Sequence, residues 1–365
     1  MAERVPSPWL FSRRIDLGLF GGSTAAALLL LFAGHLTGQL DGDAPLWLWV
    51  GAVVFVDVAH VWSTGWRVYA DAEEFRSRAA LYLAVPAACY VAGVVAYSLS
   101  PFLFWRVLAY VAVFHFVRQQ YGWVALYRRK NGEEGGFFRH LDAAVIYGAT
   151  LVPLLFWHAH QPRRFQWFLK GDFLGGLSPV VSLAAMLLYA GVFVAWIVKE
   201  AGRIRRGLPV SWGKHLVVAS TVLMWFGGIV VLNSDYAFTV TNVIVHGVPY
   251  FGLVYLTEKA RGAARADAGK PSSLAGFAAR NAALFLLPLF ALAFLEEWGW
   301  DRLVWHENRA IFPGPGLDPG ALLLALIVPL LALPQATHYV LDGFIWKLRP
   351  ENRAAARALG LPEPA

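Results

Sequence analysis

The feature that most constrains this chain is the recurrence of apolar runs about 20 residues long. A run of that length, coiled as a helix, covers the roughly 30 Å hydrocarbon core of a bilayer. Inside that core no water is present to bond backbone N–H and C=O groups, so such a run must satisfy them internally as a helix. Ten runs are read, over 15–36, 45–66, 79–98, 101–127, 141–160, 176–198, 215–234, 236–257, 276–295 and 319–345. The expected fold is all-α: a polytopic membrane helix bundle of about ten transmembrane helices. It is read as a single domain with a candidate hinge at 258–275, where Ala, Gly, Lys and Arg precede Pro271.

Composition agrees. Charged residues make up 15%, against about 25% in soluble domains, and 58% of residues are hydrophobic. This excludes a soluble globular domain, a disordered chain and a nucleic-acid binder. The single cysteine, Cys89, excludes an internal disulfide framework and a cysteine zinc knuckle.

The net charge of +7 is explained by topology. Basic residues crowd alternate connections: Arg13 and Arg14; Arg67, Arg76 and Arg78; Arg128 to Lys130 and Arg139; Lys199 to Lys214; Lys259 to Arg280; and Lys347 to Arg357. The intervening connections hold only Arg163, Arg164, Lys170, Arg302 and Arg309. Loops rich in Lys and Arg stay on the cytosolic side, so both termini are expected in the cytosol. The expected location is a multi-pass position in a bacterial inner membrane, with the basic face drawn to anionic lipid.

Ionisable side chains inside membrane helices are costly and point to function. Four runs that travel in the same direction each carry one histidine, at roughly 10–20 Å from the inner charged edge. Each has polar company on one helical face. The second run has Asp57, His60 and Thr64. The fourth has His115, Arg118, Gln119 and Gly122. The eighth has Asn242, His246 and Tyr250. The tenth has Gln335, His338, Tyr339 and Asp342. Faces so polar are expected to converge inside the bundle.

Neutral imidazole is the commonest metal ligand, and its second nitrogen is usually held by a carboxylate or carbonyl. His60, His115, His246 and His338 are therefore candidate metal ligands. Asp57 and Asp342 are candidate ligands or holders, and Arg118 and Tyr339 complete the candidate catalytic set. Arg118 could pair with a carboxylate or grip a lipid phosphate or carboxylate. Imidazoles and carboxylates without thiolates suit iron, one or two ions, or alternatively zinc. A lone histidine in a bundle can equally be a packing residue, and His140, His215, His158 and His160 are read as helix-end or loop residues.

On these residues the chain is similar in kind to histidine-rich integral-membrane iron enzymes, the desaturase and hydroxylase class. The paired His-x-x-x-His and His-x-x-His-His boxes of that class are absent. Single histidines on separate helices look more like the bacterial carotene-cleaving membrane oxygenases or the seven-helix zinc-dependent lipid amidases. His246-Gly247 with Tyr250, Gly252 and Tyr255 faintly resembles the His-Gly element of membrane-bound acyl transferases. The resemblance implies an oxidoreductase acting on a lipid or other apolar substrate from the cytosolic leaflet, with electrons from a cytosolic donor. A zinc-dependent lipid hydrolase and a proton-coupled transporter are the alternatives.

Overall fold

The computed structural model describes residues 7–133, 135–347 and 349–361, and among them there is helix and no strand. In chain order the helices are α1 (Arg13–Leu36), α2 (Leu46–Val68), α3 (Ala72–Ser77), α4 (Ala79–Leu99) and α5 (Pro101–Lys130). Then come α6 (Phe137–Ala159), α7 (Pro179–Arg205), α8 (Trp212–Val231), α9 (Asp235–Asp267) and α10 (Leu274–Ala278). The last are α11 (Ala282–Trp305), α12 (Ala321–Leu331), α13 (Leu333–Ile345) and α14 (Arg353–Ala358). Among the described residues nine helices are long and apolar enough to cross a membrane, and α12 with α13 makes a tenth, bent by 40°. Capping side chains set several starts: Ser12 for α1, Asp71 for α3, Ser178 ahead of Pro179 for α7, and Asn281 for α11.

Three segments differ from the expected spans for identifiable reasons. The tenth run is broken because Pro334 has no N–H to donate and its ring crowds the preceding turn. The eighth continues as helix to Asp267, since its charged end finds partners: Arg261 meets Asp71, Glu74 and Glu258, and Arg265 meets Asp71 and Glu73. The ninth begins at Ala282, capped by Asn281, and runs past Glu296 to Trp305. It does so because both Glu296 oxygens accept indole N–H bonds, from Trp62 at 2.7 Å and Trp300 at 3.4 Å.

By contacts the chain forms two compact units. One comprises Met1–Pro45, Phe114–Pro249 and Leu348–Ala365, the other Leu46–Val113 and Tyr250–Lys347. The division falls inside α5 and α9, which are unbroken helices across it.

Within the first unit a buried ion network ties α5, α6, α7 and α8. Lys214 is wholly buried and its Nζ lies 2.6 Å from Glu133, 2.8 Å from Glu200 and 3.5 Å from Asp142. Lys199 bridges Asp142 and Glu200, Arg128 bonds Asp142, and His215 meets Glu200 at 2.8 Å. The carboxylates of Glu133, Asp142 and Glu200 are close enough to one another for a cation, and the two ammonium groups fill that role. Close helix approach depends on small residues: a Cβ on Gly148 would lie 2.3 Å from the Tyr189 ring.

Within the second unit the clamp is Glu74. Its carboxylate meets Arg67 at 2.8 Å and Arg261 at 3.2 Å, with Arg78 bonded alongside, and accepts the Tyr82 hydroxyl at 2.6 Å. The apolar cluster that holds the clamp's Tyr82 is built from Val68, Tyr82, Leu341 and Ile345, and a second core in the same unit from Val54, Val58, Tyr250, Val254, Phe285 and Leu289. Burial alone would push the Glu74 carboxyl up, but Arg67, Tyr82 and Arg261 outweigh it and hold the group at about 2.

Two outcomes are expected. Lys214→Ala removes the one ammonium that meets Glu133, Asp142 and Glu200 together, and the detergent-solubilised protein should lose about 3–5 kcal/mol in thermal or denaturant unfolding. Glu74 binds fewer protons folded than unfolded, so its contribution is full above its ordinary value near 4.5 and is lost as pH falls toward about 2. Melting temperature measured from pH 6 to pH 3 should fall less steeply in Glu74→Gln than in the native chain.

Candidate metal centre

The second unit supplies two imidazoles. His60 lies on α2, which is π-wound over Trp49–Val58 and α-helical from Ala59. Asp57 and His60 straddle that change, and such windings recur at functional sites. His60 Nδ1 lies 3.3 Å from the Val56 carbonyl and 3.7 Å from Asp57. Because both are acceptors, Nδ1 carries the proton and Nε2 presents the lone pair.

His338 lies on α13, just past the break at Ala332. Its Nδ1 is 2.7 Å from the Thr64 hydroxyl and 3.8 Å from Asp342. The rings of His60 and His338 are 5.0 Å apart and nearly perpendicular. The Tyr250 ring lies 5.6 Å from His60 and 5.0 Å from His338, and its hydroxyl donates to Asp342 at 2.5 Å and accepts from the Trp346 indole at 3.3 Å. Asp57, Glu296 and Glu297 lie within electrostatic reach of one another, and Tyr339 within reach of Asp57 and Glu296.

His115 is the second residue past the division on unbroken α5. One nitrogen each from His60, His115 and His338 lies within 4.8 Å of the others. The three rings are 1%, 3% and 0% exposed. Three imidazoles at that spacing can hold a metal ion: bonds of about 2.0–2.1 Å to a common centre place ligand nitrogens 3–4 Å apart. Each comes from a different helix, so the group exists only in the folded chain.

His246 is buried but stands outside this trio. In the first unit its ring is stacked flat on Phe116 at 3.4 Å, and lies 5.2 Å from the His115 ring. Phe116 in turn packs against Trp167, and the His246 carbonyl accepts from Gln119 at 3.0 Å. The expected fourth ligand is therefore a neighbour of the third. Arg118 is not joined to Asp57 or Asp342. It is exposed, bonded to the Tyr147 hydroxyl, with its guanidinium over the Tyr121 ring. Three residues from the buried His115, its side chain lies at the exposed surface.

Glu296, Trp62 and Tyr250 belong to the surroundings of the trio, and the sequence singled out only Tyr250. Glu296-Glu297 ends an apolar run, which reads as the edge of a span. The signal that could have found it is the indole at Trp62, one turn before Trp66, on the same helix as His60.

Protein-family models, curated proteins and solved structures give no match to this chain.

The Thr64 hydroxyl orients His338, and a metal-ligating imidazole is sensitive to the group on its other nitrogen. Thr64→Val should weaken metal binding about 10–100-fold in a competitive chelator titration, while costing only about 1 kcal/mol of stability.

Proposed function

We propose that this chain is a membrane-embedded, metal-dependent oxidoreductase that acts on a lipid-like apolar substrate. The observation that carries this reading is the trio of buried imidazoles from three separate helices, with ligand atoms within 4.8 Å of one another. Neutral imidazoles without thiolates suit a first-row divalent ion, and three protein ligands leave positions open for water, oxygen or substrate. Iron is the metal proposed, as one ion on His60, His115 and His338. Asp57 and Asp342 would orient His60 and His338 from 3.7 and 3.8 Å. Bound iron would supply oxygen activation, and a one-electron donor at the basic, cytosolic ends of the helices would supply reducing equivalents. The apolar helix surfaces beside the trio suit a substrate that arrives sideways from the leaflet.

A second reading keeps the same residues with zinc. Three histidines and an open position also make a zinc site that activates water, with Asp57 or Glu296 as base.

Metal analysis of protein purified from metal-replete cells tests the proposal. About one iron per chain is expected, falling below a tenth in His60→Ala, His115→Ala or His338→Ala, with His246→Ala retaining most of it. Zinc in place of iron, together with turnover that persists without oxygen, would favour the hydrolase. Less than about a tenth of an atom of any transition metal in folded native protein would remove both readings.

A further inference from the structure

Arg118 poses a separate problem. Helix α5 carries charge at Arg106 near its start and at Arg128, Arg129 and Lys130 at its end. At about 1.5 Å per residue, Arg118 lies about 18 Å from Arg106 and about 15 Å from Arg128. That is half-way through a hydrocarbon layer about 30 Å thick. The residues that precede it on the same stripe, Val107 and Phe114, are 48% and 64% exposed, as expected for a surface that meets acyl chains. A charged side chain at such depth ordinarily turns inward and finds a counter-charge. Arg118 is exposed, and among the described residues it makes no ion pair.

It is nevertheless held. The Tyr147 hydroxyl on α6 accepts one guanidinium N–H. The rings of Tyr121 and Tyr147 are stacked 5.0 Å apart, and the guanidinium carbon sits 5.1 and 6.0 Å from their centres. Tyr147 is ten residues into α6 and Arg118 is ten residues before Arg128, so two helices set the same depth independently. A guanidinium offers five donors in a planar fork, and one is spent on Tyr147. The side chain is exposed, and among the described residues no carboxylate is paired with the rest.

We propose that Arg118, braced by Tyr121 and Tyr147, is a binding site for the anionic head of an amphiphile, a carboxylate or a phosphate, that reaches it from the lipid side. Such a head accepts the fork in a bidentate pair, the strong form of charge-assisted bond. Neutralisation also removes the cost of a lone cation at that depth. The site differs from the proposed metal centre in its residues: the guanidinium's partners are Tyr121 and Tyr147, and neither belongs to the histidine trio.

The test uses the full chain, stripped of bound lipid and placed in nanodiscs of zwitterionic phosphatidylcholine. Two probes are titrated: oleate for a free fatty-acid carboxylate, and phosphatidylglycerol for a phospholipid phosphate. Saturable binding of one probe is expected at one per chain, and which probe binds identifies the source. Arg118→Gln should weaken it at least about tenfold. Arg118→Lys, which keeps the charge and loses the fork, should fall between, and Tyr147→Phe should weaken binding about threefold or more. Binding of both probes to Arg118→Gln within twofold of the native chain overturns the proposal. So does a native dimer that Arg118→Gln dissolves regardless of probe, since a second copy would then supply the anion. Unchanged metal content and melting temperature in the variants show that the fold is intact; should Arg118→Gln not fold, Arg118→Lys and Tyr147→Phe decide.

Discussion

The structure depends on one requirement: polar groups placed inside a hydrocarbon layer must find partners within the protein. For imidazole this is acute, because each ring carries one donor and one acceptor and neither can be left to acyl chains. His60 satisfies its Nδ1 on the preceding turn of its own helix, at the Val56 carbonyl. His338 reaches across to the Thr64 hydroxyl of another helix. Thr64 lies one turn beyond His60, so the two rings are oriented by one short stretch of α2. The Tyr250 hydroxyl joins Thr64, Asp342 and Trp346. In the candidate centre the His60 and His338 rings are thus oriented by the groups on their Nδ1 atoms, and a metal ion would complete the inner side.

Helix ends follow the same logic with larger charges. Lys214 and Lys199 lie among Asp142, Glu133 and Glu200 in one unit, and Glu74 lies among Arg67, Arg78 and Arg261 in the other. Desolvation opposes such networks, so they add little net stability while strongly penalising any arrangement that leaves one charge unpaired. Their effect is to fix which helix ends meet. Apolar packing cannot do this as well where helices are already surrounded by lipid of the same polarity.

Much of this was legible in the sequence. The helical character and the spans came from run length and the absence of charge. The pairing of Asp57 with His60 and of His338 with Asp342 follows from spacing of three and four residues on a helix. His60, His115 and His338, the group that could hold a metal ion, were each singled out with His246 by polar neighbours on one helical face. What spacing could not show is direction around each helix axis after a change of winding. Trp49–Val58 is π-wound, which rotates the upstream part of α2 relative to His60. His246 has the depth expected of a ligand, yet stacking on Phe116 sets its ring beside His115 and outside the trio. Arg118 is one turn beyond His115 with a similar polar neighbourhood, and its side chain is held by Tyr121 on its own helix and Tyr147 on α6. Glu296 was hidden because a carboxylate at the end of an apolar run reads as a boundary, and only the indoles of Trp62 and Trp300 make it an interior residue.

X-ray absorption at the metal edge, on protein loaded with one equivalent of iron(II), tests the central claim most directly. The account predicts imidazole scattering from three rings with metal–nitrogen distances of about 2.0–2.2 Å, reduced to two rings in His115→Ala and unchanged in His246→Ala. A first shell of oxygen alone, or a spectrum indifferent to His60, His115 and His338, would contradict it.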